Sequence, residues 1–226
     1  MSQEDAKKAA AEQAVNFIQN KTIIGLGTGS TATFFIQCLI EKYHEGLDIQ
    51  TVPSSRHSAD LARKGGLPVL DINAVPRIDI TVDGADEIDK KKRMIKGGGG
   101  AHVREKILAT SSEEMIVIVD DTKLVSLLGQ SKLPVEILFY GSPSTRAKIE
   151  ALGFQGKWRL NNDKTLFVTE NGNLLFDIQF EQPLTNPEED HLRLLQIPGV
   201  IDTGFFFNIA GRVIIGRDNG TTEMWD

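Results

Sequence analysis

The sequence predicts an α/β fold, a mostly parallel, doubly wound sheet joined to a smaller α+β domain. Three observations lead there. Short apolar runs bounded by glycine or proline alternate with helical patterns as far as residue 119, which is how βα units read. Beyond about residue 130 the texture changes to strand, helix and hairpin. A last apolar stretch, Gly204–Gly216, reads as a return to the first sheet. The expected division is a Rossmann-like catalytic domain of residues 1–130 with 205–226, and an α+β domain of residues 131–204.

The elements follow in order. Ala11, Ala14, Val15 and Ile18 recur at helical spacing and predict an amphipathic packing helix. Thr22–Leu26 reads as a strand, followed by a glycine turn and a helix through Phe35, Cys38, Leu39 and Lys42. The alternation continues with Asp48–Val52, the helical Ser58–Lys64, Leu67–Leu70 and the run Ile78–Val82. A helix is expected after the glycines at 97–100, then a strand at Met115–Val119. In the second domain Lys132–Phe139 reads as a strand and Pro143–Leu152 as a helix. Thr165–Glu170 and Leu174–Phe180 flank Asn171-Gly172-Asn173 as an alternating hairpin, and a helix follows Pro187. No internal repeat or low-complexity tract is visible.

Composition narrows the function. The chain has 226 residues, with Lys+Arg 25 against Asp+Glu 31, a net charge of -6. That is the wrong sign for gripping nucleic acid, so a phosphorylated ligand would need a locally positive pocket. No apolar run approaches the ~20 residues of a membrane span. The single Cys38 excludes an internal disulfide, and the first residues lack the apolar core of a signal peptide, so the expected compartment is the cytoplasm.

Three segments carry chemistry. Gly25-Leu26-Gly27-Thr28-Gly29-Ser30-Thr31 joins a strand to a helix, where unpaired N–H groups and hydroxyls make an anion site. Counting for the third glycine of a dinucleotide fingerprint lands on Ser30, and no Gly-Lys-Ser/Thr follows, so a monophosphate or small polar ligand fits better. The plainer reading is a tight turn with an ordinary cap. Next, Asp83-Gly84-Ala85-Asp86-Glu87-Ile88-Asp89 places four acids at a strand's carboxyl end, where open α/β sheets bind ligands. Asp83 and Asp86 suit proton shuttling between neighbouring oxygens, since close carboxylates push one another's pKa apart. A divalent metal site is the alternative, although the loop lacks calcium-loop spacing and has no histidine near in sequence. Glu87 and Asp89 read as solvated.

The third segment, Lys96-Gly97-Gly98-Gly99-Gly100-Ala101-His102-Val103-Arg104-Glu105, sets four glycines before a helix. Glycine is entropically costly, so backbone close to a ligand is the expected return. Lys96 at a strand end and Glu105 near the first helical turn suit proton abstraction beside a carbonyl, the lysine offsetting the charge that develops. A surface salt bridge across a flexible loop is the plainer reading.

In this order and spacing GLGTGST, VDGADEID, KGGGGAHVREKI and DDTKLVSLLG, with weaker echoes in TENGNLLFDI and IPGVIDTG, resemble the type A ribose-5-phosphate isomerase family. The likeness spans nearly the whole chain. It implies interconversion of D-ribose 5-phosphate and D-ribulose 5-phosphate in the pentose phosphate pathway, without a cofactor, by a homo-oligomer, a dimer being favoured; that no metal is needed is expected separately, from the absence of a ligand constellation in the sequence. Position by position, it implies substrate contacts at Thr28, Gly29, Ser30 and Thr31, at Asp83, Gly84, Ala85 and Asp86, at Lys96, Gly97, Gly98 and Gly99, and at Lys123. Glu105 takes the place of the family's proton acceptor. Lys123 has a plainer role available, pairing with Asp120 or Asp121. Two departures stand out: His102, where an apolar residue is expected and which reads as a solvent-facing helix start, and Gly100 in place of the commoner alanine, which should loosen the loop.

Two rivals are weighed against this. A non-catalytic sugar-phosphate-binding regulatory module would keep the anion loops and lose the base, and an amino-sugar phosphate deaminase would need a histidine-centred ring-opening site. The remaining features have bland readings: Cys38 as a buried small hydrophobe, His44, His57 and His191 as surface residues, and Phe205–Phe207 as a strand core or subunit contact.

Overall fold

The computed structural model describes residues 2–226. In chain order its elements are α1 (Gln3–Val15), β1 (Thr22–Leu26), α2 (Ser30–His44), β2 (Ile49–Pro53), α3 (Arg56–Lys64), β3 (Ile78–Asp83), β4 (Glu87–Ile88), β5 (Met94–Ile95), α4 (His102–Thr110) and β6 (Ser112–Asp120). There follow β7 (Leu133–Ile137), α5 (Ser142–Ala151), β8 (Gln155–Trp158), β9 (Leu174–Gln179), α6 (Pro187–Leu195), β10 (Val200–Thr203), β11 (Phe205–Phe206), β12 (Ala210–Gly216) and β13 (Thr222–Trp225). Single 3-10 turns lie at Ile72–Ala74 and Asp121–Lys123. They group into two compact units: residues up to Ala85 with Arg104–Leu124 and Asn208–Asp226, and Asp86–Val103 with Val125–Phe207.

The first unit is built on a six-stranded sheet ordered β13-β12-β6-β3-β1-β2. Every pair in it is parallel except β12 with β13. Residues Met115–Asp120 of β6 and Val213–Gly216 of β12 are buried without alternation, the pattern of strands covered on both faces. Phe35, Ile36 and Leu39 of α2 and Ala10, Ala11 and Ala14 of α1 pack with Ile24, Val82, Ile116 and Ile214 in its main core. Ser2 and Asp5 form a reciprocal capping box that starts α1. Taking the parallel strands in chain order, the sheet runs 2-1-3-4-5, so its order reverses between β1 and β3, where such sheets bind ligands beyond the strands' carboxyl ends.

The second unit holds a four-stranded antiparallel sheet, β10-β7-β9-β8, and a small three-stranded one, β11-β5-β4. Residues 86–103 and 205–207 cluster here and not with the first unit, because β4 and β5 pair with each other and β5 pairs with β11. Phe205 and Phe206 are fully buried, so of the two readings of this triplet the strand core holds.

Two expected strands are absent. Leu67–Leu70 keeps only a bridge from Val69 to Thr51, since Pro68 has no N–H with which to extend a ladder. Thr165–Glu170 makes only isolated bridges at Leu166 and Val168. Its supposed partner β9 is buried for five consecutive residues and sits between β7 and β8. The turn at Asn171–Asn173 does form, with Gly172 at φ +79° and Thr169 N–H bonded to the Asn173 carbonyl at 2.8 Å.

Candidate active site

In the first unit the loop after β1 and the end of β3 lie side by side, as the pairing of Leu26 with Val82 requires. Asp83 is fully buried, and its Oδ1 accepts the N–H groups of Thr28 (3.1 Å) and Gly84 (2.8 Å). A Cβ on Gly27 would overlap the Asp83 carboxylate, so this glycine is required by close approach. Gly84 and Ala85 are half-buried.

Serines at the carboxyl end of β2 complete the loop. Ser58 Oγ donates to the Gly27 carbonyl at 2.6 Å, which commits its one proton. Ser55 must then donate to Ser58 (3.0 Å), Thr28 donates to Ser55 (2.9 Å), and Ser54 donates to Thr28 (2.7 Å). The Thr28 N–H and hydroxyl proton are thus both committed within this unit. Gly29, the N-cap of α2 at φ +115°, supplies no side-chain cap. The N–H groups of Ser30 and Thr31, in the first helical turn, have no intrahelical partner, and both residues retain solvent exposure. Ser54-Ser55 directly after β2 is the sequence signal for this chain of hydroxyls.

Glu105 lies in the first turn of α4 and is 3 % exposed, so the surface salt-bridge reading is excluded. Lys123 ends the 3-10 turn that follows β6. Its plainer partners are otherwise engaged: Asp121 pairs with Arg217 at 3.4 Å, while Asp120 accepts from Gln3 and from the backbone and hydroxyl of Thr122. Among the described residues no carboxylate pairs with Lys123.

In the second unit Asp86 accepts the Gly98 N–H on Oδ2 at 2.7 Å, and its own N–H binds the Ile95 carbonyl. Lys96 is 2 % exposed, with Nζ 5.3 Å from the centre of the Phe206 ring and its N–H on the Gly204 carbonyl at 2.8 Å. Gly97 and Gly100 adopt φ +103° and +82° and are buried, whereas Gly98 and Gly99 are exposed. The Phe167 ring fills the space a Cβ on Gly100 would take, so this glycine is packed, not loose.

Three polar residues behave differently from expectation. His102 is fully buried, with Nε2 3.4 Å from the Asp202 carbonyl and its ring against Gly97, because the helix start turns inward beneath the loop. Glu87 and Asp89 are each 2 % exposed. Glu87 accepts the backbone N–H groups of Gly129 and Ser131, and Asp89 binds Arg93 at 2.7 Å together with the N–H groups of Lys91 and Arg93. Backbone N–H groups, distant in sequence for Glu87 and local for Asp89, thus repay the burial of both carboxylates. His191 is half-buried, 2.8 Å from the Thr203 hydroxyl, while His44 and His57 are exposed. Burial, then Glu12 and Glu41, push the Cys38 thiol up, which suits an inert packing residue. Among the described residues no three His, Cys, Asp or Glu side chains form a metal-binding group, and no helix is long and apolar enough to cross a membrane.

Comparison with known proteins places this arrangement in a family. Residues 50–220 match the model of ribose 5-phosphate isomerase A (phosphoriboisomerase A). The chain is 49% identical over 219 residues to ribose-5-phosphate isomerase A of Protochlamydia amoebophila, covering 97% of this chain and 94% of that protein. To the Bacillus mycoides protein of the same name it is 44% identical over 217 residues, covering 96% and 98%. Among solved structures, a D-ribose-5-phosphate isomerase in complex with phospho-erythronic acid superposes with a TM-score of 0.95 at 36% identity, covering 100% of both chains. Ribose 5-phosphate isomerase from Plasmodium falciparum gives 0.94 at 34% identity, covering 99% and 98%. With likeness of this extent in both sequence and fold, the chain belongs to the ribose 5-phosphate isomerase A family.

Proposed function

We propose that this protein interconverts D-ribose 5-phosphate and D-ribulose 5-phosphate in the non-oxidative pentose phosphate pathway. The observation that carries the reading is a buried carboxylate, Glu105, in the first turn of a helix that begins just after a glycine loop led by a buried lysine, within a chain that matches the family throughout. Asp83 and Asp86 open the furanose, one as acid and one as base. Glu105 removes the C2 proton, the electron pair moves into the C1–C2 bond, and an enediolate forms with its charge on oxygen. Lys96 and loop N–H groups offset that charge. A proton passes between O1 and O2 with help from Asp83, and protonated Glu105 returns its proton to C1.

The uncapped turn at Gly29, Ser30 and Thr31, the 83–86 turn, Gly97–Gly99 and Lys123 hold the substrate. Thr28 contributes by shaping the loop, since its donors are committed. No cofactor or metal takes part, and the working compartment is the cytoplasm. Assay with ribose 5-phosphate in chelator-treated, metal-free buffer tests the reading: turnover is expected, and loss restored by one specific metal would overturn the metal-free mechanism. A purely regulatory sugar-phosphate binder would show no turnover, and the buried Glu105 and Lys96 argue against that alternative.

A further inference from the structure

Arg159 follows β8 and is only 9 % exposed. Its backbone is pinned on both sides, N–H to the Leu175 carbonyl and carbonyl to the Phe167 N–H, each at 2.9 Å. A buried guanidinium needs partners for its fork of donors. Nε and Nη2 take Asp177 as a bidentate pair at 2.9 and 2.5 Å, and Lys132 Nζ sits 2.6 Å from the same carboxylate. Nη1 then spends its two protons on backbone, the carbonyls of Gly97 (2.9 Å) and Gly98 (3.0 Å).

Those two bonds orient two peptide planes. All the described peptide bonds are trans, so each N–H points opposite to the carbonyl it follows. With both carbonyls turned to Arg159, the N–H groups of Gly98 and Gly99 face the other way. The Gly98 N–H reports that direction by reaching Asp86 Oδ2 at 2.7 Å. The two residues carrying these donors are the exposed ones, and their flanking glycines are buried. A Cβ on Gly98 would crowd Asp86, so the carboxylate lies close against this face. A cation on the carbonyl side polarises both peptides and strengthens their N–H donors.

We infer that Arg159, held by Asp177, is a positioning residue that fixes the Gly98 N–H on Asp86 and aims the Gly99 N–H at the oxygen on which negative charge develops. This rests on the isomerase reading above. A guanidinium kept for packing alone would be replaceable by an apolar side chain of similar volume. A donor to a developing charge must instead be held within a fraction of an ångström to favour the charged state over the ground state.

The test compares Arg159→Lys and Arg159→Ala with the unaltered chain at a temperature where circular dichroism shows all three folded. Arg159→Lys keeps the charge but cannot span Asp177 and two carbonyls, so kcat should fall about 10- to 100-fold while KM moves less than about threefold. Amide exchange at Gly98 and Gly99 should quicken. Millimolar guanidinium ion should restore part of kcat in Arg159→Ala. Unaltered kcat and exchange in Arg159→Lys would overturn the inference, as would guanidinium that raises Tm without raising kcat. If the unaltered chain does not isomerise ribose 5-phosphate, the isomerase reading is what fails. Amide exchange then decides alone: quickened exchange at Gly98 and Gly99 keeps the positioning role, and unchanged exchange removes it.

Discussion

Glu105 is one atom away from glutamine in chemistry and nearly identical in shape, which makes it the sharpest probe of the proposed reaction. Glu105→Gln should lower kcat by about 10²–10⁴-fold with KM little changed. In heavy water the remaining turnover should carry correspondingly less deuterium into product. If instead Glu105→Gln turns over normally and Asp83→Asn loses both turnover and exchange, the base is Asp83. Lys123→Ala and Ser30→Ala remove groups assigned to ground-state holding, so steady-state kinetics should show KM rising more than kcat falls. Lys123 reads from its own segment as a lysine beside two aspartates, and its place among the substrate contacts comes from the family resemblance. That both carboxylates are spoken for depends on Arg217, 96 residues after Asp121, and on Gln3 at the other end of the chain. The same holds for His102 and Glu87: residue type predicts solvent, and only distant backbone, the Asp202 carbonyl for one and the Gly129 and Ser131 N–H groups for the other, makes their burial tolerable.

Helices and central parallel strands with strong local signals read correctly, whereas the alternating Thr165–Glu170 and the elements defined by their partners did not. β1 falls on its expected residues, and α2, α3 and α4 follow their helical spacing, because periodicity is a property of the segment itself. β4, β5 and β11 are two residues long and are held by pairing with one another, so the sequence shows β5 only as a strand end at Lys96 and says nothing of its partners. β8, with exposed Gln155 and Lys157 beside half-buried Gly156 and Trp158, is an edge strand whose glycine leaves room for the Asp177 backbone. The link from β8 to β9 has a pH signature. Burial pushes the Asp177 carboxyl up, but hydrogen bonds and charge from Arg159, then Lys132, outweigh it and leave the group below its ordinary 3.8. A depressed carboxyl contributes stability that is fully present above the unfolded value and is lost as pH falls through the folded one. Denaturant midpoints of the unaltered chain should therefore decline below about pH 4 more steeply than those of Asp177→Asn. Parallel slopes would assign no linkage to this pair.

At the scale of the whole molecule, the expected homodimer cannot draw on Phe205 and Phe206, which are internal. Exposed apolar side chains lie instead at Leu138, Phe139 and Tyr140 after β7 and at Ile201 on the edge strand β10. Light scattering at micromolar protein should return about twice the 24.9 kDa chain mass, and Phe139→Asp with Ile201→Lys should shift it toward one chain. A single-chain mass for the unaltered protein would remove the dimer. The discontinuity of the first unit bears on how the chain is made. β12 lies between β6 and the edge strand β13, yet it belongs to the last 19 residues, Asn208–Asp226. During synthesis all of the second unit leaves the ribosome before the first sheet can close. Until then β6, buried from Met115 to Asp120 in the finished protein, is an unpaired apolar edge. Chains released after Phe207 should accordingly be recovered in aggregates, and refolding should be slow, because its final pairing joins residues about 100 positions apart.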